Sequence, residues 1–133
     1  MIVLDTHALL WADQDERKLG KKSRALIDRH WANTGVAISA VTFWEVGMLE
    51  SAKRIKLPLP LAEWRISLLR AGIVEWAVDG RVAVRASELT GLQGDPADRF
   101  IAATALVHDA ILVTADEKLL AWRHAMERHD ART

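Results

Sequence analysis

Short apolar runs alternate along this chain with longer segments whose apolar residues recur every three or four positions. The runs Met1-Ile-Val-Leu4, Val36-Ala-Ile-Ser39, Ile73-Val-Glu-Trp-Ala-Val78 and Ile111-Leu-Val-Thr114 are short and rich in β-branched residues, so they read as strands. A helical turn follows the first run over His7–Trp11, and a charged loop then extends to Gly20. Helical spacing predicts helices over Ser23–Trp31, Val41–Ala52, Leu61–Ala71 and Gly80–Leu89. Asn33-Thr-Gly35 is a turn before the second strand, and Leu57-Pro-Leu-Pro60 separates two helices. Gly91 to Gly94 is a loop. Pro96 suits the first position of a helix reaching His108, where its missing N–H is not needed. After the fourth strand, Asp116 opens a last helix to about Trp122. The tail from Arg123 has no clear period and leaves room for a fifth strand near Met126.

Strands that alternate with helices predict an α/β fold: a doubly wound, mostly parallel sheet of four or five strands with helices on both faces. No repeat, low-complexity tract or linker interrupts residues 1–133, so one domain is expected. A domain of this size buries about two-thirds of its unfolded surface and needs no covalent staples. The chain has no cysteine, which excludes disulfides and thiolate metal sites and fits a reducing cytoplasm. The apolar start is broken at Asp5, so no signal-peptide core is expected, and no apolar run is long enough for a membrane-spanning helix.

The 18 basic and 18 acidic residues cancel, so no bulk positive field draws this protein to nucleic acid. Local basic clusters occur at Arg17, Lys18, Lys21, Lys22 and Arg24, and again at Lys53, Arg54 and Lys56. A solvated helix face is the plain reading of both. Six tryptophans are many for this length. Most are expected in the core, leaving an exposed minority to stack on bases or anchor a partner helix.

Candidate chemistry lies in four acids, Asp5, Glu45, Asp98 and Asp116, three of which sit where a strand ends or a helix begins. In a parallel α/β sheet those junctions share one edge, where ligands bind. Each acid also has a local reading. Asp5 and Asp116 are placed to cap the helices that follow them, with Thr114 a competing cap for the second. Glu45 lies about 40° around its helix from Val41 and shares a face with Met48, Leu49 and Ala52, where an unpaired carboxylate is costly. A capping box with Thr42 is the alternative, unless Ser39 is the cap and leaves Glu45 free. Asp95 reads as the cap of the helix that Pro96 opens. Asp98 shares a face with Ile101, Ala102 and Ala105 and so points at the sheet.

If the four meet, two like charges at 4 Å repel by about 4 kcal/mol at an effective dielectric of 20. A hard divalent cation removes that cost, and all-oxygen ligands suit Mg²⁺ or Mn²⁺. The five histidines show no zinc-ligand spacing, and the chain has neither a phosphate-cradling glycine loop nor a GxGxxG.

In order along the chain, Met1-Ile-Val-Leu-Asp-Thr-His-Ala-Leu-Leu-Trp11, Ile38-Ser-Ala-Val-Thr-Phe-Trp-Glu-Val46, Gly94-Asp-Pro-Ala-Asp-Arg-Phe-Ile-Ala-Ala-Thr-Ala105 and Val113-Thr-Ala-Asp-Glu-Lys-Leu119 resemble the PIN domain. The likeness is specifically to the VapC-type toxin ribonucleases of toxin–antitoxin pairs. The resemblance implies an endoribonuclease whose acidic quartet is Asp5, Glu45, Asp98 and Asp116. Asp5, Asp98 and Asp116 would hold Mg²⁺ or Mn²⁺, and Glu45 would orient or deprotonate a water. Thr6 and Thr114 would be supporting hydroxyls, and Asp95 matches an acid common in the subgroup with Asp-Pro before the third acid. It further implies an RNA substrate, a homodimer and a cognate antitoxin that masks the site. Lys53, Arg54 and Lys56 are the expected RNA contacts. A receiver-type signalling domain is the rival of another class, but it wants paired acids after the first strand and a lysine after the last. A catalytically silent PIN-like binding module is the other rival.

Overall fold

The computed structural model describes residues 1–133 as a five-stranded sheet flanked by seven helices. In chain order these are β1 (Ile2–Leu4), α1 (Thr6–Asp13), α2 (Lys21–Ala32), β2 (Val36–Ser39), α3 (Val41–Ser51) and α4 (Leu61–Ala71). They continue with β3 (Val74–Trp76), α5 (Gly80–Glu88), α6 (Pro96–Val107), β4 (Ile111–Thr114), α7 (Glu117–Ala121) and β5 (Arg128–Asp130). The strand order is β3-β2-β1-β4-β5, and every pairing is parallel. The chain builds outward from β1 to β3, then returns to the other side of β1 to add β4 and β5. The switch point therefore lies between β1 and β4, where Leu4 is in register with Val113.

A strand covered on both sides sends successive side chains to opposite cores. Ile2 and Leu4 join Val36, Ile38 and Val113 in one core, with Leu9 of α1, Phe43 and Val46 of α3, and Trp64 and Leu68 of α4. Val3 and Leu112 enter the other, with Val82 and Ala86 of α5, Ile101 and Ala102 of α6, and Leu119 of α7. Ala102, Ala103 and Ala105 are buried, and their small side chains let α6 lie close to the sheet.

Several boundaries depart from the pattern. The expected turn after β1 is a full helix of eight residues, because Asp5 caps it and its Ala8, Leu9 and Leu10 pack inward. Strand β3 is only three residues long; Gly72, left-handed at φ 116°, ends α4 just before it. The fifth strand, expected near Met126, falls at Arg128–Asp130. Its residues carry no apolar pattern, and pairing with Leu112, Val113 and Thr114 alone defines it. Of the six tryptophans Trp64 and Trp122 are buried and Trp11 and Trp76 pack half-buried against the two cores, while the minority, Trp31 and Trp44, is exposed. Met48 and Ala52 are also exposed, and the buried face of α3 is Thr42, Phe43 and Val46. Glu45 therefore borders the core instead of lying on its stripe.

After β5 the chain folds onto the start of α2. The Gly20 N–H donates to the Ala131 carbonyl at 2.8 Å and the Ser23 N–H to Thr133 at 3.0 Å. The contact is so close that a Cβ on Gly20 would come 2.0 Å from the Thr133 oxygen.

Candidate active site

The register of β1 and β4 sets Asp5 and Thr114 side by side at the carboxyl ends of their strands. The Asp5 N–H continues the ladder to the Val113 carbonyl at 3.0 Å. Its carboxylate is buried, and each oxygen has a task. Oδ1 accepts the Ala8 N–H at 2.8 Å and caps α1, while Oδ2 accepts the Thr114 hydroxyl in a short hydrogen bond. Thr114 Oγ1 in turn accepts the Asp116 N–H at 3.0 Å. Asp116 then caps α7 through the Leu119 N–H at 3.0 Å. For Asp5 and Asp116 the capping reading and the site reading hold together: one carboxylate orients its helix and faces the pocket.

Glu45 reaches the same place from α3. No capping box forms; Ser39 Oγ accepts the Val41 N–H at 3.2 Å, and Glu45 instead takes a short hydrogen bond from Thr6. The Thr6 hydroxyl also lies 3.4 Å from that of Thr42. Thr6 thus holds Glu45 much as Thr114 holds Asp5. Asp95 caps α6 by accepting the Ala97 N–H at 3.0 Å. One turn on, the half-buried Asp98 points into the pocket, and its carboxylate makes no hydrogen bond.

All five acids line one cavity of about 540 Å³, together with Thr6, His7, Trp11, Glu117, Lys118 and Arg132. Crowding shows in their proton affinities. Asp98 is pushed up to about 7, first by burial and then by Asp116, Glu45, Asp95 and Asp5. Burial likewise raises Glu45 to about 6 against the Thr6 hydrogen bond, with Asp95 and Asp5 adding to the rise. Burial also raises Asp5, while the Thr114 hydroxyl, the Ala8 N–H and His7 partly offset it. No lysine or arginine forms an ion pair with Asp98 or Glu45.

The donors are carboxylate and hydroxyl oxygens, and no ion pair within the chain neutralises Asp5, Glu45, Asp95, Asp98 or Asp116. That combination fits a hard divalent cation and does not fit a soft one. As the side chains stand, no three acids are close enough to enclose an ion. Caps and hydroxyls hold Asp5, Glu45 and Asp116, leaving Asp98 as the carboxylate free to swing.

The expected RNA contacts are not brought here. Lys53, Arg54 and Lys56 line a separate shallow depression with Glu50 and Ile55. The cations on the acid pocket are Lys118 and Arg132, neither of which the sequence singled out. Lys118 lies two residues after Asp116, a spacing that points to the same helix start. Arg132 was out of reach of any pattern, because only the docking of the tail beyond β5 places it.

The doubly wound parallel sheet of order β3-β2-β1-β4-β5 gathers its acids at the switch point, as the PIN resemblance implies. The chain belongs to that family, whose profile matches residues 2–124. Within it, the chain is 31% identical over 124 residues to ribonuclease VapC22 of Mycobacterium tuberculosis (strain ATCC 25618 / H37Rv), covering 92% of each protein. Its fold is similar to VapBC-1 from nontypeable Haemophilus influenzae, with a TM-score of 0.68 and 17% identity over the whole of both chains. It is also similar to VapBC2 from Rickettsia felis, solved bound to a DNA fragment from its promoter, with a TM-score of 0.67 and 21% identity. That match covers 98% of this chain and all of the other.

Proposed function

We infer that this protein is a metal-dependent endoribonuclease, the toxin of a toxin–antitoxin pair, and that it hydrolyses RNA phosphodiester bonds in the acid pocket. One observation carries the reading: Asp5, Glu45, Asp95, Asp98 and Asp116 line one pocket, and no lysine or arginine forms an ion pair with any of them. Asp5, Asp98 and Asp116 would hold Mg²⁺ or Mn²⁺, which supplies a water of lowered pKa and offsets charge on the scissile phosphate. Thr114 fixes the direction of Asp5 and the start of α7 at once. Thr6 aims Glu45, the residue we assign to orienting or deprotonating the attacking water. Asp95 supports the site by setting the first turn of α6 and hence Asp98. Attack in line would leave a 5′-phosphate and a 3′-hydroxyl.

The similarity to VapC22 supports RNA as the substrate. Likeness to chains solved as toxin–antitoxin complexes supports a cognate antitoxin as partner. Exposed Trp44, Met48, Ile66 and Val84 supply apolar surface for that antitoxin and for a second copy of the chain in a homodimer. No helix is long and apolar enough to cross a membrane, and the reading places the protein in the cytoplasm with its RNA. Lys53, Arg54 and Lys56 remain candidates for phosphates further along the strand.

A 5′-labelled RNA incubated with the protein and Mn²⁺ should yield fragments with those ends, and EDTA should stop the reaction. Cutting that persists in EDTA would remove the metal from the scheme. Failure to cut RNA with either ion would remove the nuclease.

A further inference from the structure

Two clefts of this molecule meet at one side chain. Lys118 lines the acid pocket and also a second cleft of about 580 Å³, bounded by the loop 90–93 and by Ala121, Trp122 and Arg123. Its ammonium stands beside Gly94, where a Cβ would come within 2.9 Å of Nζ. Gly94 directly precedes Asp95, the cap of α6. Lys118 takes part in no ion pair. The other cation of the acid pocket, Arg132, is held by Asp130 at 3.1 Å and Glu117 at 3.3 Å.

The walls of the second cleft are pinned. Arg99 donates to the carbonyls of Leu92 at 2.6 Å and of Leu89 and Ala86 at 2.8 Å, so the loop is tied from beneath. The indole N–H of buried Trp122 donates to the Thr90 carbonyl at 2.8 Å, joining that loop to the end of α7. On this fixed frame Gln93 and Arg123 are exposed, and Arg123 has no carboxylate partner. A cleft of this volume lies within the roughly 300–1,000 Å³ range of small-ligand sites. Its lining offers an amide and two free cations without an acid.

We propose that the second cleft receives the nucleotide adjacent to the bond cut, with Lys118 on the phosphate between the two clefts. Arg123 meets the next phosphate outward, and the Gln93 amide meets an edge of the base. The substrate is accordingly a single strand, since a base must leave its stack to enter. This rests on the ribonuclease reading, and the test separates the two.

Binding of a short fluorescein-labelled single-stranded RNA of mixed sequence, followed by anisotropy in an Asp98→Asn background, reads the cleft without cleavage. Lys118→Met and Arg123→Met should each weaken binding several-fold and reduce the slope of log K against log salt by about 0.7, the value for one phosphate on a single strand. Lys118→Arg should restore both, and Lys22→Met, which lines neither cleft, should change neither. In the otherwise unsubstituted protein, Lys118→Met should raise KM more than it lowers kcat, and Gln93→Ala should change which positions are cut. Unaltered affinity and salt slope in both Met variants, with normal cutting by the unsubstituted protein, overturn the second cleft alone. Weakened binding in both, with no cutting in Mg²⁺ or Mn²⁺, supports the cleft and overturns the ribonuclease.

Discussion

Glu75 and Asp98 bear the same functional group in opposite surroundings. Arg65 meets Glu75 with two hydrogen bonds, at 2.9 and 2.7 Å, and holds its carboxyl below the usual range. Asp130 is lowered in the same way, chiefly by its hydrogen bond to Arg132. Asp98 is pushed up to about 7, first by burial and then by Asp116, Glu45, Asp95 and Asp5 around it. At the sheet's far edge and on the tail the fold gives its acids an arginine. At the switch point it gathers acids that no arginine pairs, since Arg132 on the same pocket is held by Asp130 and Glu117. A site of that kind weakens the empty domain and is relieved by a cation from solution, so function here opposes stability.

Substituting Asp98 breaks the contrast most sharply. Asp98→Asn should lower RNA cleavage by at least about a hundred-fold, the scale of losing one electrostatic contact to a transition state, while leaving the fold intact. Initial rates beside circular dichroism spectra check this, and retained activity would end the role given to Asp98. A metal titration comes next. Mg²⁺ or Mn²⁺ at a hundred times its Kd should stabilise the folded protein by about 2.7 kcal/mol, seen as a rise in melting temperature. The rise should shrink at pH 5, where Asp98 and Glu45 are protonated; equal shifts at pH 5 and pH 8 would contradict it.

A smaller effect comes without metal. Because Asp98 titrates at about 7 folded against an ordinary 3.8, the folded state binds more protons between those values. Stability must therefore fall as pH rises through that window, with the penalty fully present above pH 7. Asp98→Asn should flatten this fall, and parallel melting curves for the two proteins would refute it. Smallest is the paired acid. Arg65→Met should lower the melting temperature slightly near neutral pH and leave cleavage unchanged. That loss should fade in acid, because a lowered carboxyl stabilises only above its folded pKa. A larger drop at pH 3 than at pH 7 would reverse the assignment.

Much of this was legible along the chain. Asp5 and Asp116 each follow an apolar strand, and such junctions in a parallel sheet share an edge. The face of Asp98 was legible too, since Ile101, Ala102 and Ala105 follow it at helical spacing and are buried. The surroundings of Glu45 were read in part: Val41 and Leu49 pack against the cores, but Met48 and Ala52, taken as part of its apolar face, are exposed. Its partner is Thr6, from an element 39 residues earlier. The basic residues on the acid pocket escaped notice for a similar reason. Lys53, Arg54 and Lys56 form a visible run, whereas Lys118 and Arg132 are isolated residues that folding brings to one pocket.

By itself the sequence determined what depends on neighbours along the chain: the alternation of strands and helices, the caps at Asp5, Asp95 and Asp116, and the order of the acids. Periodicity and capping act within a turn or two of helix, so a local pattern contains them. Only the tertiary structure decided that Arg128–Asp130 would be a strand, that Thr6 and Thr114 would hold Glu45 and Asp5, and that the tail would carry Arg132 to the pocket. Those outcomes depend on backbone pairing and side-chain contacts between segments far apart in the chain, and no local pattern encodes that distance.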